Sequence, residues 1–156
     1  MSDKKTPFLL NRRTLLGAGL GGPVISLLPR SVHADPDDMV AARLRVFGDR
    51  PVNEGRVTLD LPPIAENGYS VALTVSVNSP MTTNDYVRRI AVFSPRNPVA
   101  QIAEFHLTPV SGLARVSTRV RLAGTQKLTA IAEMSDGSLW AGSAETLVTL
   151  AACVVL

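Results

Sequence analysis

From residue 56 onward, apolar and polar side chains alternate along the chain in short runs. In the clearest run, 71–77, every second residue is valine or leucine. A period of two places successive side chains on opposite faces of an extended chain, so each run predicts a strand with one buried face. The predicted strands are 56–61, 70–77, 86–93, 99–107, 114–122, 128–134, 139–144 and 145–150. Seven or eight short strands separated by regular turns predict an all-β fold, an immunoglobulin-like β-sandwich.

Local features refine this prediction at three places. The dipeptide Asn67-Gly68 predicts a turn, and Asp136-Gly137 predicts a tight hairpin turn because it suits the positive φ angles that such a turn needs. The alternation is poorer in 86–93 and 99–107, and a β-bulge is one way to interrupt it. No repeat or linker divides the predicted domain.

A short helix is predicted before the strands. Residues 35–38 (DPDD) supply an N-cap, a proline at the first helical position and two acids in the first turn. Apolar residues follow at helical spacing, and Gly48 is expected to end the helix. The predicted stripe, which should pack against the domain, consists of Met39, Val40, Leu44 and Phe47.

The first 34 residues resemble a twin-arginine export signal. Two lysines precede the pair Arg12 and Arg13, and a moderately apolar stretch broken by glycines follows at 15–28. The small-residue site Val-His-Ala predicts cleavage after Ala34. These features predict export of a folded chain to the periplasm. The alternative is that the N-terminal segment remains as a membrane anchor.

The charge of the chain is concentrated in this same segment. The formal net charge is +3, but five of the 16 basic residues and one of the 13 acidic residues precede residue 35. The remainder therefore carries a formal charge of −1. A nucleic-acid-binding domain needs a basic patch on its folded surface, so that class loses its main support.

Few residues are available for catalysis or metal binding. After Ala34 the chain holds one histidine, His106, which should share a strand face with Glu104. With a cysteine this pair could suggest a protease-like triad, but a single histidine on a strand is more often an ordinary sheet residue. One cysteine and one histidine do not supply three or four metal ligands. We therefore predict no catalytic residue, no metal and no cofactor.

The single cysteine, Cys153, lies three positions before the last residue of the sequence. In an exported chain a lone thiol is buried, paired with another chain or kept for chemistry. Residues beyond Leu150 extend by at most about 3.5 Å each, so Cys153 would sit on an arm of roughly 10 Å. Such an arm can carry a thiol into the active site of another protein. The ending Cys-Val-Val-Leu also matches a prenylation pattern, which conflicts with a bacterial export signal.

Several long segments resemble the SoxY family, the sulfur-carrying subunits of the bacterial thiosulfate-oxidising (Sox) system. They are 54–62 (EGRVTLDLP), 64–68 (IAENG), 75–82 (VSVNSPMT), 132–138 (AEMSDGS) and the C-terminal cysteine. The resemblance implies a periplasmic heterodimer with a second β-sandwich subunit, SoxZ. It also implies that Cys153 becomes covalently linked to thiosulfate-derived sulfur, which other Sox enzymes load, oxidise and hydrolyse.

The chain departs from the family pattern at the cysteine itself. The arm of the family ends in Gly-Gly-Cys-Gly-Gly, whereas Ala151, Ala152, Val154 and Val155 flank Cys153 here and Leu156 follows. Glycine gives an arm conformational freedom and a small cross-section, and alanine and valine reduce both.

The leading hypothesis is a sulfur carrier with a signal peptide at 1–34, a β-sandwich at 35–150 and a cysteine-bearing arm at 151–156. The alternative is a β-sandwich that binds a partner non-covalently, or serves as a scaffold in sulfur metabolism, and whose cysteine is incidental. A small thiol enzyme is a third hypothesis, which lacks a residue positioned to activate the cysteine.

Overall fold

A computed structural model describes residues 36–152 of the chain. This part contains one α-helix, nine strands and one short 3-10 helix at Pro109–Ser111. No helix within residues 36–152 is long and apolar enough to span a membrane. The elements are α1 (Pro36–Phe47), β1 (Val52–Glu54), β2 (Val57–Asp60), β3 (Ile64–Asn67), β4 (Val71–Val77), β5 (Val87–Phe93), β6 (Gln101–His106), β7 (Arg115–Val120), β8 (Gln126–Met134) and β9 (Leu139–Leu150).

The strands form two sheets, which confirms the predicted sandwich and its short N-terminal helix. The larger sheet has the order β1-β9-β8-β5-β6, and β3 pairs with the second half of β9. The smaller sheet has the order β2-β4-β7 and is antiparallel throughout. The predicted inward-facing residues of β4, from Val71 to Val77, are all buried between the sheets.

The larger sheet is covered on both faces, which explains the poor alternation of 86–93. Ile90 and Val92 of β5 face the sandwich core, whereas Ala91 and Phe93 face α1. A strand buried on both faces has no polar face to alternate with. The expected bulge is present as well, because the register of β5 shifts between Val92 and Phe93.

Helix α1 packs on the sheet through a face that includes Met39 and Phe47 of the predicted stripe but not Val40 and Leu44. Ala42 and Phe47 are buried, whereas Val40 and Leu44 are 48% and 39% exposed. The small side chain of Ala42 allows the helix to approach the sheet closely, so the buried face centres on it. The predicted helix end is confirmed, since Gly48 has a φ of 69° and donates its N–H to the Leu44 carbonyl.

The strands differ in number from the predicted seven or eight. The short strands β1 and β3 were not predicted, and the predicted strands 139–144 and 145–150 form one strand, β9. Both short strands run parallel to β9 and follow one another along the same side of it. β8 pairs without a break with residues 139–146 of β9, and β3 continues the pairing at 147–150, so the strand is not interrupted at 144. The predicted hairpin is confirmed, with Gly137 at a φ of 85° between β8 and β9.

Candidate functional site at the end of the last strand

Strand β9, which leads toward the cysteine, is held on both sides along its second half. On one side β3 pairs with residues 147–150 of β9. On the other side the amide of Val148 donates to the hydroxyl of Thr125 at 2.9 Å. The end of β9 is therefore flanked on both sides, by β3 and by the segment at Thr125.

Three backbone hydrogen bonds continue this attachment beyond the strand. The Gly68 amide donates to the Leu150 carbonyl at 2.7 Å, and the Leu122 amide donates to the Gly68 carbonyl at 2.8 Å. The Ala152 amide then donates to the Leu122 carbonyl at 3.0 Å. We call these four residues, Gly68, Leu122, Leu150 and Ala152, the arm anchor. The two segments at Gly68 and Leu122 hold the chain as far as Ala152.

Gly68 is buried at the point where these segments meet. A Cβ atom at this position would overlap the Leu122 carbonyl oxygen and would lie 3.0 Å from the Ala152 amide nitrogen. It would also lie 3.2 Å from the Cγ1 of Val148. Two of these neighbours are backbone atoms, so a larger residue could be accommodated only by moving the chain.

The loop that presents the Leu122 carbonyl is fixed by a buried side chain. The amide group of Asn97 donates to the Arg121 carbonyl at 2.7 Å and accepts from the Ala123 amide at 2.9 Å. It also accepts a hydrogen bond from Gln126, whose own oxygen accepts one from Ser94 at 2.6 Å. Because both neighbours of Leu122 bind Asn97, this loop is held rigidly.

The turn that presents Gly68 is fixed in a similar way. The Asn67 side chain accepts from the Tyr69 amide at 2.9 Å, which closes an Asx turn. Arg119 of β7 donates to both the hydroxyl and the carbonyl of Ser70. The predicted Asn-Gly turn is therefore confirmed, and a neighbouring strand supports it.

Three exposed arginines lie on β7 or directly after it. Arg115, Arg119 and Arg121 are all exposed, and none of them forms an ion pair with a carboxylate in the described part of the chain. Arg119 has the additional role of holding Ser70.

Several predicted site residues lie outside residues 36–152. These are Arg12 and Arg13 of the predicted signal, Ala34 at its predicted cleavage site, and Cys153. Cys153 is joined by one peptide bond to Ala152, so the covalent chain places its Cα about 3.8 Å from the Cα of an anchored residue.

His106 shares a face of β6 with Glu104, as predicted. The Nε2 atom of His106 lies 3.0 Å from the Oε1 atom of Glu104, and the histidine side chain is 72% exposed. Arg89 approaches the same carboxylate oxygen at 3.6 Å. Within the described residues Glu104 therefore joins His106 and Arg89 in a polar cluster at the surface.

The same cluster continues inward to Glu133, whose side chain is only 12% exposed. Its two oxygens lie 2.9 Å from a nitrogen of Arg50 and 2.7 Å from a nitrogen of Arg89. These arginines also donate to the carbonyls of Phe47 and Val46 at the end of α1. Glu133 thus links the helix to the sheet through two guanidinium groups.

The environment of Glu133 lowers its pKa. Burial alone would raise the pKa, but hydrogen bonds from Arg89 and Arg50, together with their positive charges, more than offset it. The folded protein therefore favours the charged carboxylate. This ion-pair network has a structural role in attaching α1.

Within residues 36–152, no group of three or more histidine, cysteine, aspartate or glutamate residues is arranged to hold a metal ion. All buried side-chain nitrogen and oxygen atoms of this part have hydrogen-bond partners.

Sequence reasoning missed the residues that fix the end of β9. Asn97 was assigned to a loop between two strands, and Gly68 was predicted only as a turn residue. The Asn-Gly dipeptide is the one local indication of Gly68. The contacts with Leu122 and Ala152 join residues that are far apart in the sequence, so no local pattern reveals them.

Comparison with known proteins identifies the family. A family model described as the sulfur oxidation protein SoxY matches residues 43–153, a segment that includes Cys153. A search of curated proteins gave no match. The structure resembles that of the sulfur carrier protein SoxY from Chlorobium limicola f. thiosulfatophilum with a TM-score of 0.61. That match has 28% sequence identity and covers 71% of this chain and 91% of the Chlorobium chain.

Superoxide reductases share the fold at lower identity. The enzyme from Ignicoccus hospitalis has a TM-score of 0.53 and 21% identity, covering 60% of this chain and 80% of that one. The enzyme from Nanoarchaeum equitans has a TM-score of 0.51 and 13% identity, covering 61% and 99%. These matches concern architecture only. Because the SoxY family model spans most of the sequence, from α1 to Cys153, this chain belongs to the SoxY family of sulfur oxidation proteins.

Proposed function

We propose that the chain is a periplasmic sulfur carrier whose Cys153 covalently carries thiosulfate-derived sulfur between the enzymes of sulfur oxidation. The observation that supports this most is the SoxY family match, which runs through the C-terminal strand and includes the cysteine. The similarity to the Chlorobium SoxY sulfur carrier protein adds to it. In this proposal the chain has no catalytic residue of its own, and partner enzymes act on the bound sulfur.

The chemistry requires a thiol that can reach a partner. Joining the Cys153 sulfur to the outer sulfur of thiosulfate forms one S–S bond, releases the thiol proton and removes two electrons, which the loading enzyme must accept. Strand β9 supports this role because it is held on both sides and leads directly to the cysteine. The thiol would therefore start from a defined position at one end of the sandwich.

The layout that we propose keeps the predicted boundaries. Residues 1–34 are a twin-arginine signal containing Arg12 and Arg13, with cleavage after Ala34. Residues 35–150 form the sandwich, and residues 151–156 form the segment that bears the cysteine. Export through this route supports the periplasmic location.

Replacing Cys153 with serine is expected to abolish sulfur uptake. Serine keeps the size and polarity of the side chain but cannot form an S–S bond. The measurement is the intact mass of the protein purified from cells grown on thiosulfate: the parent should show added sulfur, and Cys153→Ser should show none. If the serine variant gains the same mass, or if the parent gains none, the carrier proposal is wrong. The second outcome would favour a sandwich with an incidental cysteine.

We further propose a SoxZ-like second subunit as a stable partner. Strands β6 and β7 are the edges of their sheets and lie next to each other, and each is paired on one side only. Apolar side chains are exposed at the ends of these edges, with Val99 at 68%, Val110 at 94% and Leu113 at 74% exposure. Unpaired edges and exposed apolar side chains favour association with another chain.

The partner proposal predicts a local effect of charge at this edge. Val110→Lys is expected to weaken binding of a co-expressed SoxZ-like chain by about tenfold or more, because a lysine opposes burial in an apolar contact. Val40→Lys, on the exposed side of α1, is the control and should leave binding unchanged. Affinity is measured by titration of the purified chains. Equal binding by both variants would exclude this edge as the interface.

A further inference from the structure

We propose that the arm anchor is a positioning site that sets how far the Cys153 thiol can reach. This inference rests on the proposed function, because it concerns the presentation of the carrier thiol. It assigns a role to Gly68 and Leu122, residues that lie 85 and 31 positions before the cysteine in the sequence.

The hydrogen bonds of the arm anchor form a continuous series. Gly68 binds Leu150 through its amide and Leu122 through its carbonyl, and Leu122 binds Ala152 through its carbonyl. All the groups involved belong to the backbone. The C-terminal segment is therefore held at two points, one at the end of β9 and one immediately before the cysteine.

The Leu122 loop and the Gly68 turn, which hold the end of the C-terminal strand, are themselves fixed by side chains. Asn97 binds the residues on both sides of Leu122, and Arg119 binds Ser70 beside the Gly68 turn. Of the described residues after Leu150, Ala151 and Ala152, the second is held by a backbone hydrogen bond to Leu122. Rupture of that bond releases Ala152 and leaves the Gly68 turn and the Leu122 loop in place.

The consequence concerns distance. With Ala152 bound, Cys153 lies one residue beyond a hydrogen-bonded position, and a residue extends by about 3.5 Å. With Ala152 released, it lies three residues beyond Leu150 and reaches about 10 Å. The anchor therefore separates a short-reach state from a long-reach state.

Gly68→Ala tests this directly, because its Cβ would overlap the Leu122 carbonyl oxygen and crowd the Ala152 amide. The matched control is Gly142→Ala. Gly142 lies in β9, ahead of the anchored residue Leu150. A Cβ there would overlap the Val57 carbonyl oxygen, again a backbone atom, but no residue of the arm anchor is near it. Both variants strain the backbone of the domain, and only the first strains the anchor.

Two properties of the purified full chain are measured. One is hydrogen exchange at the Ala152 amide, followed by NMR. The other is the rate at which a polymer-linked maleimide alkylates Cys153. In the parent, the Ala152 amide should be protected relative to an unstructured amide. In Gly68→Ala, both rates should rise by roughly 2- to 10-fold, the factor expected for losing one backbone hydrogen bond. Gly142→Ala should match the parent in both.

Two results would overturn the proposal. One is an Ala152 amide in the parent that exchanges as fast as an unstructured amide, a measurement that needs no variant. The other is an equal change of both rates in the two glycine variants. Neither measurement uses thiosulfate or another sulfur substrate. Failure of sulfur loading would therefore contradict the carrier function and leave the anchor intact, and loss of the anchor would leave the carrier function intact.

Discussion

Replacing Glu133 with glutamine is expected to lower the free energy of unfolding by about 3 kcal/mol at neutral pH. The substitution keeps the shape of the side chain but removes the charge that faces Arg50 and Arg89. Both guanidinium groups then lose their shared carboxylate, and the attachment of α1 to the sheet weakens. Both arginines retain some exposure, with side chains 38% and 24% exposed, which places the loss near the lower end for a buried pair. Denaturant unfolding of parent and variant measures it.

Glu104→Gln is the matched control. Glu104 contacts Arg89 at 3.6 Å, a longer distance than the 2.7 Å of Glu133, and its side chain is 29% exposed against 12% for Glu133, so this ion pair should contribute about 1 kcal/mol or less. Its substitution should therefore cost much less than that of Glu133. If the free energy of unfolding fell equally in the two variants, burial of the Glu133 carboxylate would add nothing to stability.

The difference between the parent and Glu133→Gln should also depend on pH. Because the folded protein lowers the pKa of Glu133, its contribution is fully present above the unfolded value of about 4.3. It decreases as the pH falls below that value and is lost once the pH has passed through the folded pKa. Unfolding experiments between neutral and acid pH should show the two stabilities converging. A constant difference across this range would contradict the assigned pKa direction.

Asn97→Ala is expected to cost about 3 kcal/mol of stability, since several polar groups lose their partner at once and each unsatisfied group costs about 1–3 kcal/mol. The groups are the Arg121 carbonyl, the Ala123 amide and the side-chain nitrogen of Gln126. Asn97 is 6% exposed, so access of water to them is restricted. Thermal and denaturant unfolding of the purified variant provide the measurement.

The control for Asn97 is Asn84→Ala. Asn84 is exposed and its side chain forms no hydrogen bond within the described residues, so its removal should change stability by less than about 0.5 kcal/mol. Similar stabilities for Asn97→Ala and the parent would mean that the Leu122 loop is held by other contacts.

Local patterns predicted most of the fold. Alternation located β2 and the strands from β4 onward, Gly48 marked the end of the helix, and Asp136-Gly137 marked the hairpin. Each of these depends on neighbours within a few residues. The short strands β1 and β3 escaped prediction because they are defined by parallel pairing with β9, more than 80 positions later in the sequence. Their own residues carry too short a pattern to show it.

The candidate site was less predictable for the same reason. The cysteine, its flanking residues and the family resemblance are visible in the sequence. The buried roles of Asn97 and Glu133 are not, because polar residues in loops and on strands are ordinarily exposed. Burial at both positions results from elements that pack over them from elsewhere in the chain. Cys153 itself lies outside the described residues, and its role stays a prediction.

The position of β9 has a consequence for biosynthesis. This strand is made after β1, β3 and β8, yet all three pair with it. While its residues are still on the ribosome, the two short parallel strands have no partner and β8 presents an open edge. The larger sheet can therefore close only after translation of the strand is complete, and the pairings that close it span long stretches of sequence, which slows folding. During this interval the unpaired strands of the nascent chain are open to incorrect pairing.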